Sequence, residues 1–351
     1  MSHPGCTLIA MSFRFPDGVE FVGDDGDGQV QFKVSIPLDD DGFFGRECPE
    51  CGQHFRIAHG DYDALPDDVE LWCVYCGYHD DHSEFMTEQQ RDRVMRAASD
   101  YAMQLIGRAL DDSFGRMARN SRSSFVKITY RSKPFYPAPL PEIDEDRLVR
   151  ERACEQCGLR YAIFGEHRFC PVCGVLAPLV TAADALAAET VRLDVLIDLP
   201  IDARRRLQES GVLDRTYADA IENVVGIVEA MAERTFRQLA SNADELLKGK
   251  GKVFQRLEDF ADLFHSATGR DIRVSAWSEL GEAWAARHVF THCDGIVDAK
   301  YLQTVPASGL RPGQRLRATE ELARTAIRNA EALCRAIGVS GPDSVDPVET
   351  V

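Results

Sequence analysis

The chain has 351 residues, a formal net charge of −17 and an apolar fraction of 44%. This length exceeds the usual size of a single core, so two or three domains are expected. The acidic charge argues against a general nucleic-acid-binding surface, because phosphate binding depends on Lys and Arg, and any RNA contact must therefore be local. No apolar run comes close to the length of a membrane span, about 20 residues. Residues Met1 to Met11 lack the charged start and the long apolar stretch of a signal peptide. We therefore expect a cytoplasmic protein with no membrane contact.

The N-terminal module, residues 1–135, is predicted to begin with short strands, because residues 13–36 alternate roughly between apolar and polar side chains and are interrupted by Gly and Asp. A long helix is predicted over about residues 83–117. Its expected buried face recurs every three or four positions and consists of Val94, Ala98, Tyr101, Leu105 and Ala109. The Pro-rich, acidic segment 136–150 predicts a stiff linker and a domain boundary.

Eight of the eleven cysteines form two sets of paired C-x-x-C arms. The sets are Cys48, Cys51, Cys73 and Cys76, within about residues 46–80, and Cys154, Cys157, Cys170 and Cys173, within residues 151–180. Two arms can complete a tetrahedral shell around one ion at about 2.3 Å, with no open position for a substrate. We therefore predict two structural Zn²⁺ sites in small β ribbons. A redox dithiol is disfavoured by the two arms in each set, and iron stays an alternative.

The C-terminal region, residues 181–340, is rich in Ala, Leu, Glu and Arg and predicts an antiparallel four-helix bundle, so the whole chain is expected to be mostly α. The helices are expected at about residues 215–247, 253–266, 275–294 and 313–337. The first of them has an apolar face formed by Tyr217, Ile221, Val224, Val228, Met231 and Thr235. Residues 341–351 are expected to be a disordered tail.

Arg287, His288 and His292 lie near the end of the third predicted helix and are the catalytic candidates. A guanidinium binds phosphate oxygens bidentately, and an imidazole titrates near neutrality and can transfer protons. Arg287 and His292 are about 140° apart on an ideal helix, so a shared site requires the helix to end or bend. Gly295 predicts such an end, because glycine readily adopts the left-handed cap conformation.

Other interpretations of this segment stay open. His288 and His292 are spaced i, i+4 and could bind a metal, although Val289 stands where zinc peptidases of the H-E-x-x-H type have Glu. Arg287 could pair with a carboxylate, and His292 could cap the helix end. Cys293 directly follows His292, so the two side chains point about 100° apart and a Cys-His nucleophilic pair is disfavoured.

Additional substrate contacts are predicted at Lys248, Lys250 and Lys252, which form the only compact basic run, and at Tyr301. The lysine run lacks the ending of a P-loop, so a simple helix cap is the alternative to phosphate binding. Asp298 and Tyr301 could support the site, although an exposed Asp and a core Tyr are equally compatible with the sequence.

The segment from Arg287 to Leu302 resembles the HEPN superfamily of nucleotide-binding and RNase domains. The similarity lies in the motif R-x4-H with a polar residue after the Arg, in its place at the end of the third helix, and in the following Gly-Ile-Val-Asp and Tyr301. The resemblance covers about residues 181–340 and says little about the ribbons.

The resemblance implies a metal-independent endoribonuclease that works as a homodimer, with two motifs in one composite site. His292 would transfer protons, Arg287 would neutralise the reacting phosphate, and His288 would bind phosphate or orient its partners. Fusion to zinc ribbons suggests regulated or targeted RNA cleavage, as in prokaryotic antiviral defence or a toxin system with a regulatory protein or antitoxin. The alternative is a non-catalytic adaptor whose ribbons bind protein or nucleic acid and whose bundle dimerises, and the acidic charge favours it.

Overall fold

The computed structural model describes residues 13–24, 30–120, 130, 131, 133, 135–143 and 150–338. Two compact units divide the chain, Met1–Val175 and Leu176–Val351. The described part is mostly helical with small antiparallel sheets, as predicted. None of its helices is long and apolar enough to cross a membrane. The predicted tail, residues 341–351, lies outside the described residues.

The strands of the first unit are short and pair with their neighbours along the chain. An N-terminal hairpin consists of β1 (Val19–Asp24) and β2 (Val30–Val34), in the segment where the sequence predicts strands. Six more strands flank the cysteine arms: β3 (Phe43–Glu47), β4 (His54–Ala58), β5 (Glu70–Trp72), β6 (His79–Asp81), β7 (Arg150–Ala153) and β8 (Arg160–Ile163). The last hairpin is β9 (Phe169–Cys170) and β10 (Gly174–Val175).

The first arm of each cysteine set lies in a hairpin of one sheet, of order β3-β4-β8-β7, whereas the second arms lie in the β5-β6 and β9-β10 hairpins. Strand β4 pairs with β8 through Arg56 with Ala162 and Ile57 with Tyr161. The arrangement is symmetric about this pairing, because each of the two strands is also paired with the other strand of its own cysteine hairpin. The linker predicted at residues 136–150 therefore does not separate two ribbons, and the boundary between the units follows Val175.

The helices of the first unit are α1 (His59–Tyr62) and α2 (Glu88–Asn120), with a 3-10 helix at His82–Phe85. Helix α2 begins later than the predicted residue 83, because Thr87 caps it. The Thr87 hydroxyl accepts the Gln90 N–H at 3.2 Å, and the Gln90 side-chain carbonyl accepts the Thr87 N–H at 3.3 Å. This reciprocal pair is a capping box.

The predicted buried face of α2 is partly wrong. Leu105 is 44% exposed, whereas Tyr101 and Gln104 are buried at 8% and 7% exposure. The Gln104 amide accepts the Arg14 N–H at 2.8 Å and donates to the Arg14 carbonyl at 2.7 Å. A buried amide with both groups hydrogen-bonded replaces the expected leucine, which the apolar periodicity could not indicate.

The second unit is built from helices. They are α3 (Pro178–Asp198), α4 (Ile201–Glu209), α5 (Val212–Leu239), α6 (Ala243–Leu247), α7 (Leu257–Thr268), α8 (Trp277–His292), α9 (Ala299–Thr304) and α10 (Glu320–Gly338). Helix α5 packs against α3, α8 and α10, and α10 also packs against α3 and α8. All six residues of the predicted apolar face of α5 are buried, from Tyr217 to Thr235.

Several helices in this unit differ from the prediction. The predicted helix 215–247 is interrupted, because Ala240 is extended and Ser241 and Asn242, which favour turns, follow it. The predicted helix 313–337 begins only at Glu320, because residues 313–316 form backbone hydrogen bonds with residues 295–297. Helix α3 packs in the core of the unit and was not assigned as a helix from the sequence.

Candidate functional site

The two cysteine sets have the geometry of tetrahedral metal sites. Within each set all four sulfur atoms lie within 4.8 Å of one another. The shorter Sγ–Sγ distances are 3.7 Å for Cys48 to Cys76, 3.7 Å for Cys51 to Cys73, 3.9 Å for Cys154 to Cys173 and 3.7 Å for Cys157 to Cys170. A tetrahedron with metal–sulfur bonds of about 2.3 Å has edges of about 3.8 Å, whereas a disulfide joins its sulfurs at about 2.05 Å. The residues therefore fit one four-coordinate ion in each set.

The local sequence explains why the arms form these turns. Gly52, Gly77 and Gly158 follow the second cysteine of their arms and have φ values of +67°, +78° and +77°. Each donates its N–H to the carbonyl of the first cysteine, as Gly77 does to Cys73 at 3.1 Å. Only glycine takes this left-handed conformation without steric cost, so the residue after each arm closes the turn around the sulfurs.

Burial raises the pKa of four of the eight cysteines and so opposes their ionisation. It raises the pKa of Cys48 to about 11 and that of Cys173 to about 12. Burial also raises the pKa of Cys73 and Cys170. Since a thiolate is the form that binds a metal, loading these sites must displace protons, and a divalent ion compensates the gathered negative charge.

The two cysteine sets interlock through aromatic side chains. The Trp72 ring stacks on His79 at 4.3 Å and on Phe169 at 6.0 Å between ring centroids. The backbone N–H of Trp72 donates to the Pro171 carbonyl at 2.7 Å. This hydrogen bond joins β5 to the last cysteine arm. Tyr75, between the cysteines of its arm, accepts the Phe164 N–H at 3.0 Å. The arms of the two cysteine sets therefore pack against each other and form one structural centre.

The Arg-His segment, residues Arg287 to His292, lies at the end of α8. This helix continues through His292. His292 is exposed, and Arg287 is half-buried. Within the described part of the chain, the Arg287 side chain forms neither a hydrogen bond nor an ion pair. The alternative in which it pairs with a carboxylate of a neighbouring helix therefore finds no partner among these residues.

The helix end predicted at Gly295 is present, but it comes too late to align Arg287 with His292. The N–H groups of Cys293 and Gly295 both donate to the Val289 carbonyl at 3.0 Å, and Asp294 and Gly295 have φ values of +51° and +74°. Because His292 is still helical, it keeps the ideal offset of about 140° from Arg287. His288 shares the face of His292 instead, and their ring centroids are 5.4 Å apart.

The helix end gathers three side chains that the sequence did not bring together: His288, Cys293 and Asp298. Cys293 Sγ lies 3.9 Å from His288 Nε2 and 3.8 Å from Asp298 Oδ2. His288 Nε2 lies 3.5 Å from Asp298 Oδ2. In the sequence, Cys293 directly follows His292, and nothing there indicates its proximity to His288. The left-handed turn at Asp294 and Gly295 is what returns the chain toward His288.

Asp298 is held in place by its role as the N-cap of α9. Its Oδ1 accepts the Tyr301 N–H at 2.8 Å. This hydrogen bond, together with the neighbouring His288 imidazole, lowers the pKa of Asp298. The Tyr301 ring is 6% exposed and belongs to an apolar cluster with Val289 and Val297. Tyr301 is therefore a core side chain, packed beneath the C-terminal end of α8.

Lys248, Lys250 and Lys252 are exposed in the loop between α6 and a 3-10 helix at Val253–Gln255. Gly249 and Gly251, with φ values of +77° and +56°, form the turns between them. The loop is anchored through its backbone, because Arg256 donates to the carbonyls of Lys250 and Lys252. No hydrogen bond or ion pair joins the lysines to the Arg-His segment among residues 150–338.

Comparisons with known protein families, curated proteins and solved structures found no match.

Proposed function

We propose that the protein is a metal-independent endoribonuclease that cleaves RNA with Arg287 and His292. The observation that carries the proposal is the state of Arg287, a half-buried guanidinium with no ion pair among the described residues, in a chain with 57 Asp and Glu. Arg204, Arg273 and Arg324 of the same unit all lie in ion pairs. An unpaired guanidinium keeps its donors available for bidentate binding of a phosphate.

The chemistry follows from the two side chains. The neutral imidazole of His292 takes the proton of a ribose 2′-OH, and the 2′ oxygen attacks the adjacent phosphorus. Arg287 neutralises the charge that develops on the phosphorane oxygens. The bond from phosphorus to the 5′ oxygen breaks, and an imidazolium donates the proton that this oxygen needs. The products are a 2′,3′-cyclic phosphate and a 5′-hydroxyl.

The offset of Arg287 from His292 supports a site made by two copies of the chain. On one helix the two side chains point about 140° apart, so a second α8 can supply the missing group across an interface. His288, held beside Asp298, would then bind phosphate or orient its neighbours. A variant that sediments as a monomer and still cleaves RNA would contradict this composite site.

The metal in the two cysteine sets is proposed to be zinc, because four thiolates in a closed tetrahedral shell are typical of structural zinc sites. The first unit would then regulate or target the nuclease rather than take part in the reaction. By analogy with comparable fusions, the biological setting is antiviral defence or a toxin system. Lys248, Lys250 and Lys252 are further phosphate-binding candidates, because they are exposed and form the compact basic run.

The test is cleavage of end-labelled total tRNA and of a structured messenger fragment by the wild type, Arg287→Ala and His292→Ala. We expect cleavage to persist in EDTA, at a concentration that leaves the bound zinc in place, and to fall by about 10²-fold or more in each variant. Arg206→Ala and His265→Ala are matched controls, because both side chains are exposed on other helices of the same unit. Equal cleavage by wild type and His292→Ala in a nuclease-free preparation would exclude the assignment.

The alternative is a non-catalytic adaptor, and one observation favours it. Helix α2 exposes large apolar side chains, among them Met95 at 66%, Ile106 at 53% and Met117 at 50%. Exposed apolar surface of this kind often marks a site of protein binding. If the intact, dimeric wild-type protein cleaves neither the tRNA nor the messenger fragment, that result would support this adaptor function.

A further inference from the structure

His288, Cys293 and Asp298 lie together at the end of α8 and the start of α9, where the mutual distances suit a metal ion. Zinc bonds of about 2.3 Å to sulfur and about 2.1 Å to nitrogen and oxygen give tetrahedral edges of about 3.6 Å from sulfur and about 3.4 Å from nitrogen to oxygen. The measured edges are 3.9 Å, 3.8 Å and 3.5 Å. Small side-chain movements would therefore bring all three atoms to bonding distance.

The backbone already orients these ligand atoms. Oδ1 of Asp298 is occupied by the Tyr301 N–H at 2.8 Å, which leaves Oδ2 directed toward His288 and Cys293. Cys293 is fixed at the helix C-cap, because its N–H donates to the Val289 carbonyl at 3.0 Å. Hydrogen bonds from outside the ligand set commonly hold metal ligands in this way, and they reduce the cost of assembling a site.

The chemistry of the three groups selects the class of ion. A thiolate, an imidazole nitrogen and a carboxylate oxygen are the ligands of zinc and of similar divalent transition metals, whereas calcium and magnesium prefer oxygen alone. A thiolate and a carboxylate together balance the charge of one divalent ion. His288 is 29% and Asp298 37% exposed, so an ion can reach the site from solvent.

We propose that His288, Cys293 and Asp298 form a third metal site, which binds Zn²⁺ or a similar divalent ion at the end of α8. Three protein ligands leave one position for water or a further group. The ring of His292 lies on the same helix face, 5.4 Å from that of His288, but His292 is not among the side chains whose ligand atoms lie within 4.8 Å of one another. The site differs from the two cysteine sets, which are closed by four thiolates each.

The third site shares His288 with the proposed nuclease but does not rest on that function. A metal on His288 Nε2 takes the lone pair that would otherwise contact a substrate or its partners. If the nuclease proposal also holds, the bound ion competes with RNA cleavage. Metal binding and cleavage are measured separately, so the failure of one proposal leaves the other intact.

The test is a titration with Co²⁺ of the full-length chain that already carries zinc in its two cysteine sets. We expect the wild type to bind one further equivalent, with a thiolate-to-cobalt charge-transfer absorption from Cys293. Cys293→Ser should abolish this absorption. Asp298→Asn, which preserves the helix cap, and His288→Ala should weaken binding by about tenfold or more. Mass spectrometry of the zinc content verifies that cobalt has not replaced zinc.

Two control variants isolate the three ligands. Asp294→Asn makes the same change of charge in the same turn, at a position where asparagine also tolerates a positive φ. His265→Ala removes an exposed histidine from the last turn of α7. Both should bind cobalt as the wild type does. The proposal is overturned if the wild type takes up no further equivalent, if the absorption persists in Cys293→Ser, or if Asp294→Asn loses it equally.

Discussion

Asp298 joins a local structural role to the candidate sites. Its side chain caps α9 and lies beside His288 and Cys293. We expect Asp298→Ala to lower the free energy of unfolding by about 1 kcal/mol, whereas Asp298→Asn should lose only a small part of that, because asparagine is an equally good N-cap. Chemical denaturation of the zinc-loaded protein at neutral pH measures both. If Asp298→Ala and Asp298→Asn lost the same free energy of unfolding, the carboxylate charge, and not the capping hydrogen bond, would be what stabilises this turn.

The same residue gives a pH dependence whose direction is set by its lowered pKa. The stabilisation by the ionised carboxylate is present above the unfolded pKa of about 3.9 and is lost as the pH falls through the lower folded pKa. The difference in stability between wild type and Asp298→Asn should therefore shrink on acidification. If the difference in stability between wild type and Asp298→Asn stayed constant down to the lowest pH at which the protein is folded, ionisation of Asp298 would not be its cause.

At the residue scale, the sequence predicted contacts that depend on short spacing and missed those that depend on a turn. Cys48 and Cys51 are brought together by their own arm, so their spacing was sufficient to predict that their sulfurs lie close together. His288 and Cys293 are five residues apart, which an unbroken helix would hold on different faces. Their proximity depends on Cys293 leaving the helical conformation, with φ −120° and ψ 17° at the C-cap. The left-handed turn at Asp294, a conformation that few residues other than glycine adopt, then returns the chain so that Asp298 reaches the same place.

The cysteine arms allow a matched comparison of two glycines at the scale of one hairpin. Gly77 and Gly52 both have positive φ values, but a Cβ on Gly77 would collide with the Phe169 ring, whereas a Cβ on Gly52 would meet nothing within 4 Å. We expect Gly52→Ala to cost about 1 to 2 kcal/mol of stability through backbone strain alone. Gly77→Ala should cost about 1 to 3 kcal/mol more through overpacking.

Thermal unfolding of both zinc-loaded variants, with zinc content measured on the same samples, tests this difference. The packing of Phe169 against Gly77 predicts that only Gly77→Ala disturbs the second cysteine set. If both variants lost the same stability and retained the same zinc, the interlocking of the two sets would not contribute to stability.

Boundaries of elements were predictable where a single local signal acts. The box of Thr87 and Gln90 is readable in the sequence and would have placed the start of α2 correctly. The late start of α10 at Glu320 is different, because residues 313–316 pair with residues 295–297, which lie earlier in the chain. Tertiary pairing overrode the helical pattern there, and periodicity alone contains no information about it.

At the scale of the whole molecule, the sequence indicated the kinds of structure but not how the cysteine hairpins combine. Strands β4 and β8 pair although Ile57 and Tyr161 are more than 100 residues apart in the chain. Each strand is short and carries no signal that specifies its partner, since short apolar segments can pair in many registers. The position of Val175 as the boundary follows from this pairing, which keeps both cysteine sets in one unit.

The two units should respond differently to the removal of metal. The second unit has an extensive apolar core from Ala182 to Ile337, whereas the first unit buries fewer apolar side chains, around small sheets that carry the cysteine arms. Structural metal sites contribute folding free energy directly, so a strong chelator should unfold the sheets around the arms. Hydrogen exchange followed by mass spectrometry should show lost protection in Phe43–Glu47, His54–Ala58 and Arg160–Ile163, with α5 and α10 unchanged. Readdition of zinc should restore the protection. Loss of protection in α5 at the same chelator concentration would show instead that the core of the second unit also depends on bound metal.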